Sequence, residues 1–366
     1  MDPSLLTKTA FWNDPTPVAM GDLAVPSELK AHVLFETSGS SGTPKWVALS
    51  KMALWVSAAA VNRNLGVTEK SRWGLALPLR HVGGFGVATR AYIGGCSLRT
   101  FDKRWDATAF RDWLVRDRVT HTSLVPTQVY DLVKANLTAP KSLVAIVVGG
   151  GYLDPATGQA ARDLGWPVLA SYGLTETASQ IATQGLDQLK LPYQAAPLPL
   201  LKICQVQTTP DGLLMIRGAT MLSGYVIDGK FVRHESDWFT TQDRVIVEND
   251  TLTPLGRADT LVKILGELVD PEAIERELRS LSHGNLSHGS FAIAALPDLR
   301  AGHVLVPVFE LSVDPAVIQS TLELYAEQAP GFRRLQPPIT INQLPSTDLG
   351  KLRRSELVDI LLKLAD

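Results

Sequence analysis

Residues 37–45 form a run of small, hydroxylated and glycine side chains that ends in a lysine. The run follows residues 33–35, a short apolar stretch that predicts a buried strand ending in a loop. Glycines let a backbone bend close to an anion, while hydroxyls, N–H groups and an ammonium can donate to phosphate oxygens. Because Trp46 rather than Ser or Thr follows Lys45, this is not the common P-loop. A Ser/Gly-rich linker is the alternative. The candidate phosphate ligands are Thr37, Ser38, Gly39, Ser40, Ser41, Gly42, Thr43 and Lys45.

Residues 171–177 form a second polar run after an apolar stretch, in the order Ser-Tyr-Gly-Leu-Thr-Glu-Thr. The face of Tyr172 can stack on adenine, the hydroxyl of Thr175 can hold a phosphate, and the carboxylate of Glu176 is a ligand that Mg²⁺ prefers. A polar strand-to-helix turn without function is the alternative. Three glycines, Gly149, Gly150 and Gly151, follow another apolar stretch and would permit close approach by a flat ligand, although a plain turn is an equal alternative.

Short apolar runs alternate with helical stretches around these motifs. Strands are predicted at residues 75–77, 122–125, 143–148 and 168–170, and helices at residues 155–164 and from Pro126, whose missing N–H suits a first helical position. This alternation predicts an α/β fold with a mainly parallel sheet. Residues 1–30 show little periodicity and predict an extended or loosely packed arm.

Residues 196–366 differ in sequence pattern from the preceding part. Turn pairs between residues 196 and 255 predict an antiparallel β subdomain. Beyond Gly256, a helix capped by Asp270, strands near residues 291–296 and 304–309, and helices from Pro315 and about Arg353 predict a separate α+β domain. The predicted domains are therefore residues 1–256 and 257–366.

Composition narrows the class of protein. The 366 residues suffice for two domains, and a net charge of −2 removes the electrostatic reason to expect nucleic acid or an anionic membrane as partner. Cys96 and Cys204 lack CxxC or Cys/His spacing, which favours reduced thiols and a cytoplasmic protein. The N-terminus lacks the pattern of a secretory signal, and no apolar run is long enough to span a bilayer.

The motifs together resemble the adenylate-forming superfamily, which includes acyl-CoA synthetases, luciferases and peptide-synthetase adenylation domains. Residues 37–45 are similar to its phosphate loop, residues 171–177 to YGxTE and residues 238–243 to WFxTGD. Residues 256–259 are similar to the GRxxD-type hinge entry, residues 266–275 to GExVxPxEIE and residues 345–354 to PxxxxGKxxR. The six matches occur in the family's order.

The resemblance implies the adenylate-forming fold, with a small mobile C-terminal domain, and a ligase that uses ATP, Mg²⁺ and coenzyme A. It implies that Tyr172, Gly173 and the glycines at 149–151 line the adenine site, and that Thr175 and Glu176 hold the α-phosphate and Mg²⁺. It further implies that Asp243 binds the ribose, Arg257 binds ribose or phosphate, Asp259 is the hinge, and Lys351 bridges the carboxylate and the α-phosphate during attack.

A narrower resemblance concerns the acid. The run at residues 77–86 with Arg90 downstream, and the run at residues 175–181 that includes Ser179, are similar to the 2-succinylbenzoate–CoA ligases of the menaquinone and phylloquinone pathways. That substrate has two carboxylates, of which one reacts. Arg90 is the hypothesised holder of the other, since guanidinium suits carboxylate, and His81 is expected to gate or line the acyl pocket. A structural arginine and a packed histidine are the alternatives.

Three departures from the family pattern accompany the matches: Gln242 replaces a glycine, Leu265 stands where a second glycine is common, and the region before the phosphate loop is shorter than in relatives. The short N-terminal region predicts a compact variant or a homodimer. A ligase for another aryl or acyl acid and a non-catalytic nucleotide-binding relative are the rival functions, although retention of both Glu176 and Lys351 argues against the second. Small-molecule substrates, without nucleic acid or membrane insertion, are the expected partners.

Overall fold

The computed structural model describes residues 1–37, 45–287, 289–347 and 350–365. The chain forms two compact units, one of residues Met1–Thr241 with Val245–Pro254 and one of Gln242–Arg244 with Leu255–Asp366. The domain boundary predicted between residues 256 and 257 falls at the end of the strand Thr251–Arg257. The functional division into a large and a mobile small domain stays a prediction.

The first unit carries the regular elements up to residue 233. In chain order they are α1 (Thr9–Asn13), β1 (Val18–Ala19), β2 (His32–Thr37), β3 (Lys45–Ser50), α2 (Lys51–Asn64), β4 (Arg72–Leu75), α3 (Val82–Ile93), β5 (Ser97–Thr100), α4 (Ala107–Arg116), β6 (His121–Leu124), α5 (Pro126–Lys134), β7 (Ala145–Val148), α6 (Pro155–Asp163), β8 (Val168–Leu174), β9 (Ser179–Thr183), β10 (Leu198–Pro199), β11 (Cys204–Thr208), β12 (Leu213–Gly218), β13 (Gly224–Ile227) and β14 (Lys230–Arg233). Strands β15 (Phe239–Glu248) and β16 (Thr251–Arg257) contribute residues to both units.

The central sheet has the strand order β5-β4-β6-β7-β8-β9, with parallel pairing except between β8 and β9. Alternate residues of β7 enter two different cores. Ile146 and Val148 pack with α4 and α5, while Ala145 and Val147 pack with α2 and α3. Burial on both faces explains why this strand is apolar throughout, and the predicted mainly parallel α/β sheet is confirmed.

The remaining strands up to β16 form two further sheets. One has the order β1-β2-β3-β13-β14, and the other has the order β10-β16-β15-β12-β11. The second includes antiparallel pairs β10–β16 and β11–β12, which confirms the predicted β subdomain. The strand predicted at residues 75–77 is shifted, because β4 ends at Leu75 and the chain turns before Pro78.

The prediction of a loosely packed N-terminal arm is wrong. Leu6 and Trp12 are buried, and the ring of Trp12 stacks on that of Tyr92. The buried ammonium of Lys51 donates to the carbonyl oxygens of Phe11 and Asp14, at 2.6 and 2.7 Å. The arm is held by buried aromatic side chains and by the hydrogen bonds from Lys51 to its carbonyl oxygens. Neither interaction produces a periodic pattern in the sequence.

The second unit is a small α+β layer structure. Its elements are β17 (Val262–Ile264), β18 (Glu267–Val269), α7 (Pro271–Leu281), β19 (Phe291–Asp298), β20 (Gly302–Glu310), α8 (Pro315–Gln328), β21 (Ile339–Ile341) and α9 (Arg354–Ala365). The predicted cap is present, since the Asp270 carboxylate accepts a hydrogen bond from the Glu272 N–H. Strand β19 alternates between Phe291 and Ile293, packed with α7 and α8, and Ala292 and Ala294, packed with α9. No helix within the described ranges is long and apolar enough to cross a bilayer.

Candidate active site

The carboxyl ends of β6, β7 and β8 bring several predicted site residues to one edge of the central sheet. The predicted glycines at 149–151 follow β7, and the predicted Tyr172 and Gly173 lie at the end of β8. Ser123, which was not among the predicted site residues, lies near the end of β6. The Ser171 hydroxyl donates to the Val148 carbonyl at 2.9 Å, and a side chain at Gly149 would approach that hydroxyl to 3.0 Å. In open α/β sheets, ligands bind outside this edge. The position is therefore compatible with the predicted adenine site, which stays a prediction.

The turn between β8 and β9 carries Thr175 and Glu176 in one 3₁₀ turn, Thr175–Thr177. The Thr177 hydroxyl is fully buried, accepts from the Leu174 N–H at 3.2 Å and lies 3.3 Å from the carbonyl oxygen of Ser179. It therefore joins the two strands across the turn. A Cβ on Gly173 would overlap the Ser179 carbonyl, so a glycine is required there.

The backbone is strained just after this turn. Ala178 and Ser179 have φ values of 53° and 98°, a region that residues with side chains rarely adopt. Such conformations cost about 1–3 kcal/mol each and persist where the surrounding structure enforces them, commonly at functional sites. The strained backbone places the Ser179 hydroxyl inside the protein, where it meets Arg90.

The Glu176 side chain has a partner that sequence reasoning missed. The Tyr225 hydroxyl, on β13, donates to Glu176 Oε1 at 3.2 Å. Burial, followed by the nearby Glu176 charge, raises the pKa of Tyr225 well above its usual range. The pair is 49 residues apart, so no local spacing could have indicated it.

Arg90 is a buried cation on α3, only 1% exposed. Its Nη1 and Nη2 atoms lie 3.2 and 3.5 Å from the hydroxyls of Ser123 and Ser179, and its guanidinium lies 5.4 Å from the ring centre of Trp73. Burial lowers the pKa of Arg90 to about 10. Among the described residues no carboxylate pairs with it, and Nε has no hydrogen-bond partner. A side chain at Gly86 would come within 3.0 Å of Nη2, so this glycine leaves room for the guanidinium.

His81 precedes the first residue of α3. Its Nε2 atom is buried without a hydrogen-bond partner among the described residues. Burial, and then the charge of Arg80, lowers the pKa of His81, so the ring is neutral at pH 7. A neutral, half-buried imidazole is compatible with lining an acyl pocket, which stays a prediction.

Only the two ends of the predicted phosphate loop are described. Thr37 closes β2, Lys45 opens β3, and the Thr37 hydroxyl donates to the Lys45 carbonyl at 3.1 Å. The two strands pair in antiparallel register up to this point. The other predicted ligands, Ser38, Gly39, Ser40, Ser41, Gly42 and Thr43, lie outside the described residues.

In the second unit, Arg257 joins two predicted site residues. Its Nε and Nη2 atoms donate to both carboxylate oxygens of Asp259 at 2.8 and 2.7 Å, and Nη1 donates to Asp243 at 3.1 Å. Hydrogen bonding to Asp259 and the charge of Asp243 raise the pKa of Arg257. Gln242, which replaces a family glycine, lies in the middle of β15 and does not have a positive φ. The substitution therefore does not distort the chain before Asp243.

Lys351 lies in a tight turn of the second unit. Its N–H and carbonyl both bond to Thr347, at 3.2 Å to the hydroxyl and 2.8 Å to the backbone N–H, and its side chain is exposed. Three residues later, Arg354 donates to both oxygens of Glu275 at 2.9 and 2.8 Å and to the carbonyl of Ile293 at 3.2 Å. Between β17 and β18, Leu265 has φ 53° and Gly266 has φ 90°, a backbone region that favours glycine at both positions.

The profile of the AMP-binding enzyme family matches residues 9–226, more than half of the chain. The chain therefore belongs to this family of adenylate-forming enzymes. Among its relatives are the 2-succinylbenzoate–CoA ligases of Enterococcus faecalis and Bacillus subtilis. Each is 27% identical to this chain; the aligned regions cover 90% and 93% of this chain and 70% and 72% of the relatives.

The chain is also similar in fold to solved structures of 2-succinylbenzoate–CoA ligases. The o-succinylbenzoate CoA synthetase of Bacillus subtilis in complex with the acyl-adenylate intermediate OSB-AMP superposes with a TM-score of 0.76 at 26% identity, covering 89% of this chain and 68% of that one. The same enzyme in complex with ATP and a magnesium ion gives a TM-score of 0.73 at 26% identity, covering 89% and 69%. The predicted fold is confirmed by these matches.

Proposed function

We propose that this protein is an AMP-forming ligase that joins 2-succinylbenzoate to coenzyme A. Family membership, the names of the relatives and the structural similarity to an acyl-adenylate complex support the reaction class. The observation that carries the choice of acid is Arg90, a buried cation without an acidic partner among the described residues, which two hydroxyls face at the end of the sheet.

The reaction has two steps. A carboxylate oxygen of the acid attacks the α-phosphorus of ATP, forming an acyl–phosphate bond while pyrophosphate leaves. The CoA thiolate then attacks the acyl carbon, forming the thioester while AMP leaves. Because AMP is a much better leaving group than oxide, the first step makes the second one feasible.

The described residues would each serve a different part of the reaction. Thr175 would donate to the α-phosphate, and Lys351 would neutralise the charge that develops as oxygen attacks phosphorus. Tyr172, Gly173 and the glycines at 149–151 would contact adenine, and Asp243 and Arg257 the ribose. We infer that the residues after 256 rotate about Asp259 between the steps, which would let one pocket serve both chemistries.

Mg²⁺ would be held by Glu176. Among the described residues no cluster of three or more acidic, histidine or cysteine side chains could hold a metal alone. A single carboxylate fits Mg²⁺ that arrives on a nucleotide, because this ion keeps several waters and uses phosphate oxygens as further ligands. When bound, it neutralises phosphate charge and orients the nucleotide.

Arg90 would bind the aromatic carboxylate while the succinyl carboxylate reacts. A cation buried with two long hydrogen bonds is poorly satisfied, and an anion placed against it would recover much of the lost solvation. The hydroxyl of Ser179 lies beside that guanidinium and would add a donor for the same carboxylate, while His81 would line the acyl pocket.

A cytoplasmic location and a homodimer are also proposed. Cys96 and Cys204 are unpaired, and ATP and CoA are cytoplasmic co-substrates, which supports the first. The homodimer stays a prediction. Sedimentation of the purified protein at several concentrations would test it directly.

Thioester formation with purified protein, ATP, Mg²⁺ and CoA tests the function. The acids offered are 2-succinylbenzoate, 3-benzoylpropionate, benzoate, 4-coumarate and medium-chain fatty acids. The second acid lacks only the aromatic carboxylate, so the ratio of kcat/KM for the first two acids measures what that group contributes. We expect strong preference for 2-succinylbenzoate.

Other results would change the proposal in defined ways. Equal turnover of 2-succinylbenzoate and 3-benzoylpropionate would remove the proposed role of the second carboxylate. Preference for another acid would keep the ligase chemistry and discard the substrate. Failure with every acid, together with retained ATP binding, would favour the non-catalytic relative.

A further inference from the structure

We propose that Tyr225 is a positioning residue that orients the Glu176 carboxylate toward the metal–nucleotide complex. The inference rests on the proposed function, because it assumes that Glu176 binds Mg²⁺. Tyr225 itself lies outside the six sequence motifs described above, so the inference depends on its contacts in the structure.

The segment before and within β13 holds Glu176 at two points. The Tyr225 hydroxyl donates to Glu176 Oε1 at 3.2 Å, and the Leu222 N–H donates to the Glu176 carbonyl oxygen at 2.8 Å. Leu222 is itself buried in the core that contains Phe35 and Phe85. Both the backbone and the side chain of residue 176 are therefore attached to a packed element.

The same strand is connected to the predicted phosphate loop. Strand β13 pairs antiparallel with β3, with Tyr225 opposite Val47, two residues after Lys45. On its other side β13 pairs with β14, where a side chain at Gly224 would overlap the Val232 carbonyl. The strand that carries Tyr225 thus lies between two partners and connects Glu176 to the strand that leaves the phosphate loop.

The hydrogen bond limits the rotation of the carboxylate. With Oε1 held by the phenol, Oε2 is the oxygen left for the metal, and the torsional freedom of a long acidic side chain is reduced before the metal arrives. Groups that orient a metal ligand in this way change metal affinity or activity by about 10- to 100-fold when removed.

The test is Tyr225→Phe, which removes one oxygen and keeps the ring. Binding of Mn²⁺ in the presence of α,β-methylene-ATP is followed by the loss of the free-ion electron paramagnetic resonance signal. We expect affinity to fall by about tenfold, and the Mg²⁺ concentration that gives half-maximal ATP–pyrophosphate exchange to rise by about the same factor. At saturating Mg²⁺ the exchange rate should recover most of its original value.

Tyr193→Phe is the matched control. Its hydroxyl also donates a single hydrogen bond within the first unit, at 3.4 Å to the Leu153 carbonyl. That variant should bind Mn²⁺ with unchanged affinity. Urea unfolding without metal measures any purely structural effect of each substitution, and such an effect would not move the Mn²⁺ titration at temperatures where both variants are folded.

Glu176→Gln distinguishes a failure of the positioning role of Tyr225 from a failure of the metal-binding role of Glu176. If this variant loses Mn²⁺ affinity and Tyr225→Phe does not, the positioning role is refuted and the ligase function stands. If Glu176→Gln leaves Mn²⁺ affinity unchanged, the metal role of Glu176 in the proposed function fails, and the positioning role fails with it. In the double variant, Tyr225→Phe should add no further loss, because the group it orients is already altered.

Discussion

Replacing Arg90 by methionine should leave the protein folded but unable to select its acid. The guanidinium is completely buried, and burial lowers its pKa from 12.5 to about 10. At 1.36 kcal/mol per unit, this shift corresponds to a penalty of about 3 kcal/mol for holding the cation in the folded state. The long hydrogen bonds to Ser123 and Ser179 and the contact with Trp73 offset part of it.

The free energy of unfolding of Arg90→Met should therefore be unchanged or higher by up to about 3 kcal/mol. Because the folded-state pKa is lowered, the penalty is complete below about pH 10 and disappears only as the pH rises through and beyond that value. The stability difference between the two proteins should thus be flat between about pH 6 and about pH 9.

Urea unfolding followed by tryptophan fluorescence is the appropriate assay. Every tryptophan of the chain precedes residue 239, so the signal reports the first unit. Arg162→Met is the control, since this arginine donates to the carbonyls of Val168, Gln188 and Leu191 at 3.0, 2.9 and 2.8 Å. Its removal leaves acceptors without donors and should destabilise the unit by about 2 kcal/mol.

Activity should respond in the opposite sense to stability. Hydrogen bonds to a charged group contribute about 1.5–3 kcal/mol, so kcat/KM of Arg90→Met for 2-succinylbenzoate should fall by about 10- to 100-fold. The value for 3-benzoylpropionate should hardly change. Two results would contradict the proposed role of Arg90. One is destabilisation by more than about 2 kcal/mol, which would make Arg90 a structural residue like Arg162, and the other is an equal loss of kcat/KM with both acids.

Three further substitutions test other parts of the molecule. Lys351→Ala should lose adenylate formation by at least about a hundredfold, and it should still convert a preformed acyl-adenylate to thioester with CoA; survival of both half-reactions in separate assays would reject its role. Thr177→Val should lower the rate of ATP–pyrophosphate exchange by about tenfold, because the hydroxyl that joins Leu174 to Ser179 is removed, whereas Thr177→Ser should retain the rate; equal effects of the two would argue against the hydrogen bonds. Arg354→Met should destabilise the second unit by about 3 kcal/mol, since it leaves the Glu275 carboxylate without its cationic partner, and adding Glu275→Met should restore part of the loss in denaturation followed by circular dichroism.

Features with local causes were predictable from the amino-acid sequence alone. A strand followed by glycines, a Pro at the first position of α5 and the carboxylate of Asp270 at the start of α7 were each recognisable from a few neighbouring residues. The order of the motifs likewise predicts the family roles of Glu176 and Lys351. The alternation of apolar runs and helical stretches was enough to predict the α/β class.

Contacts between side chains that are distant in sequence depend on the packing of the whole fold. Arg90 contacts Ser123 and Ser179, which are 33 and 89 residues away in the sequence. Tyr225 donates to Glu176, 49 residues away, and Arg354 pairs with Glu275, 79 residues away. These pairs depend on sheet order and strand register, which no short window of sequence contains. The N-terminal arm shows the same limit, because its packing comes from aromatic contacts and from a lysine 37 to 40 residues further along the chain. Short sequence motifs therefore identify the candidate functional side chains, whereas the partners that orient those side chains depend on tertiary packing.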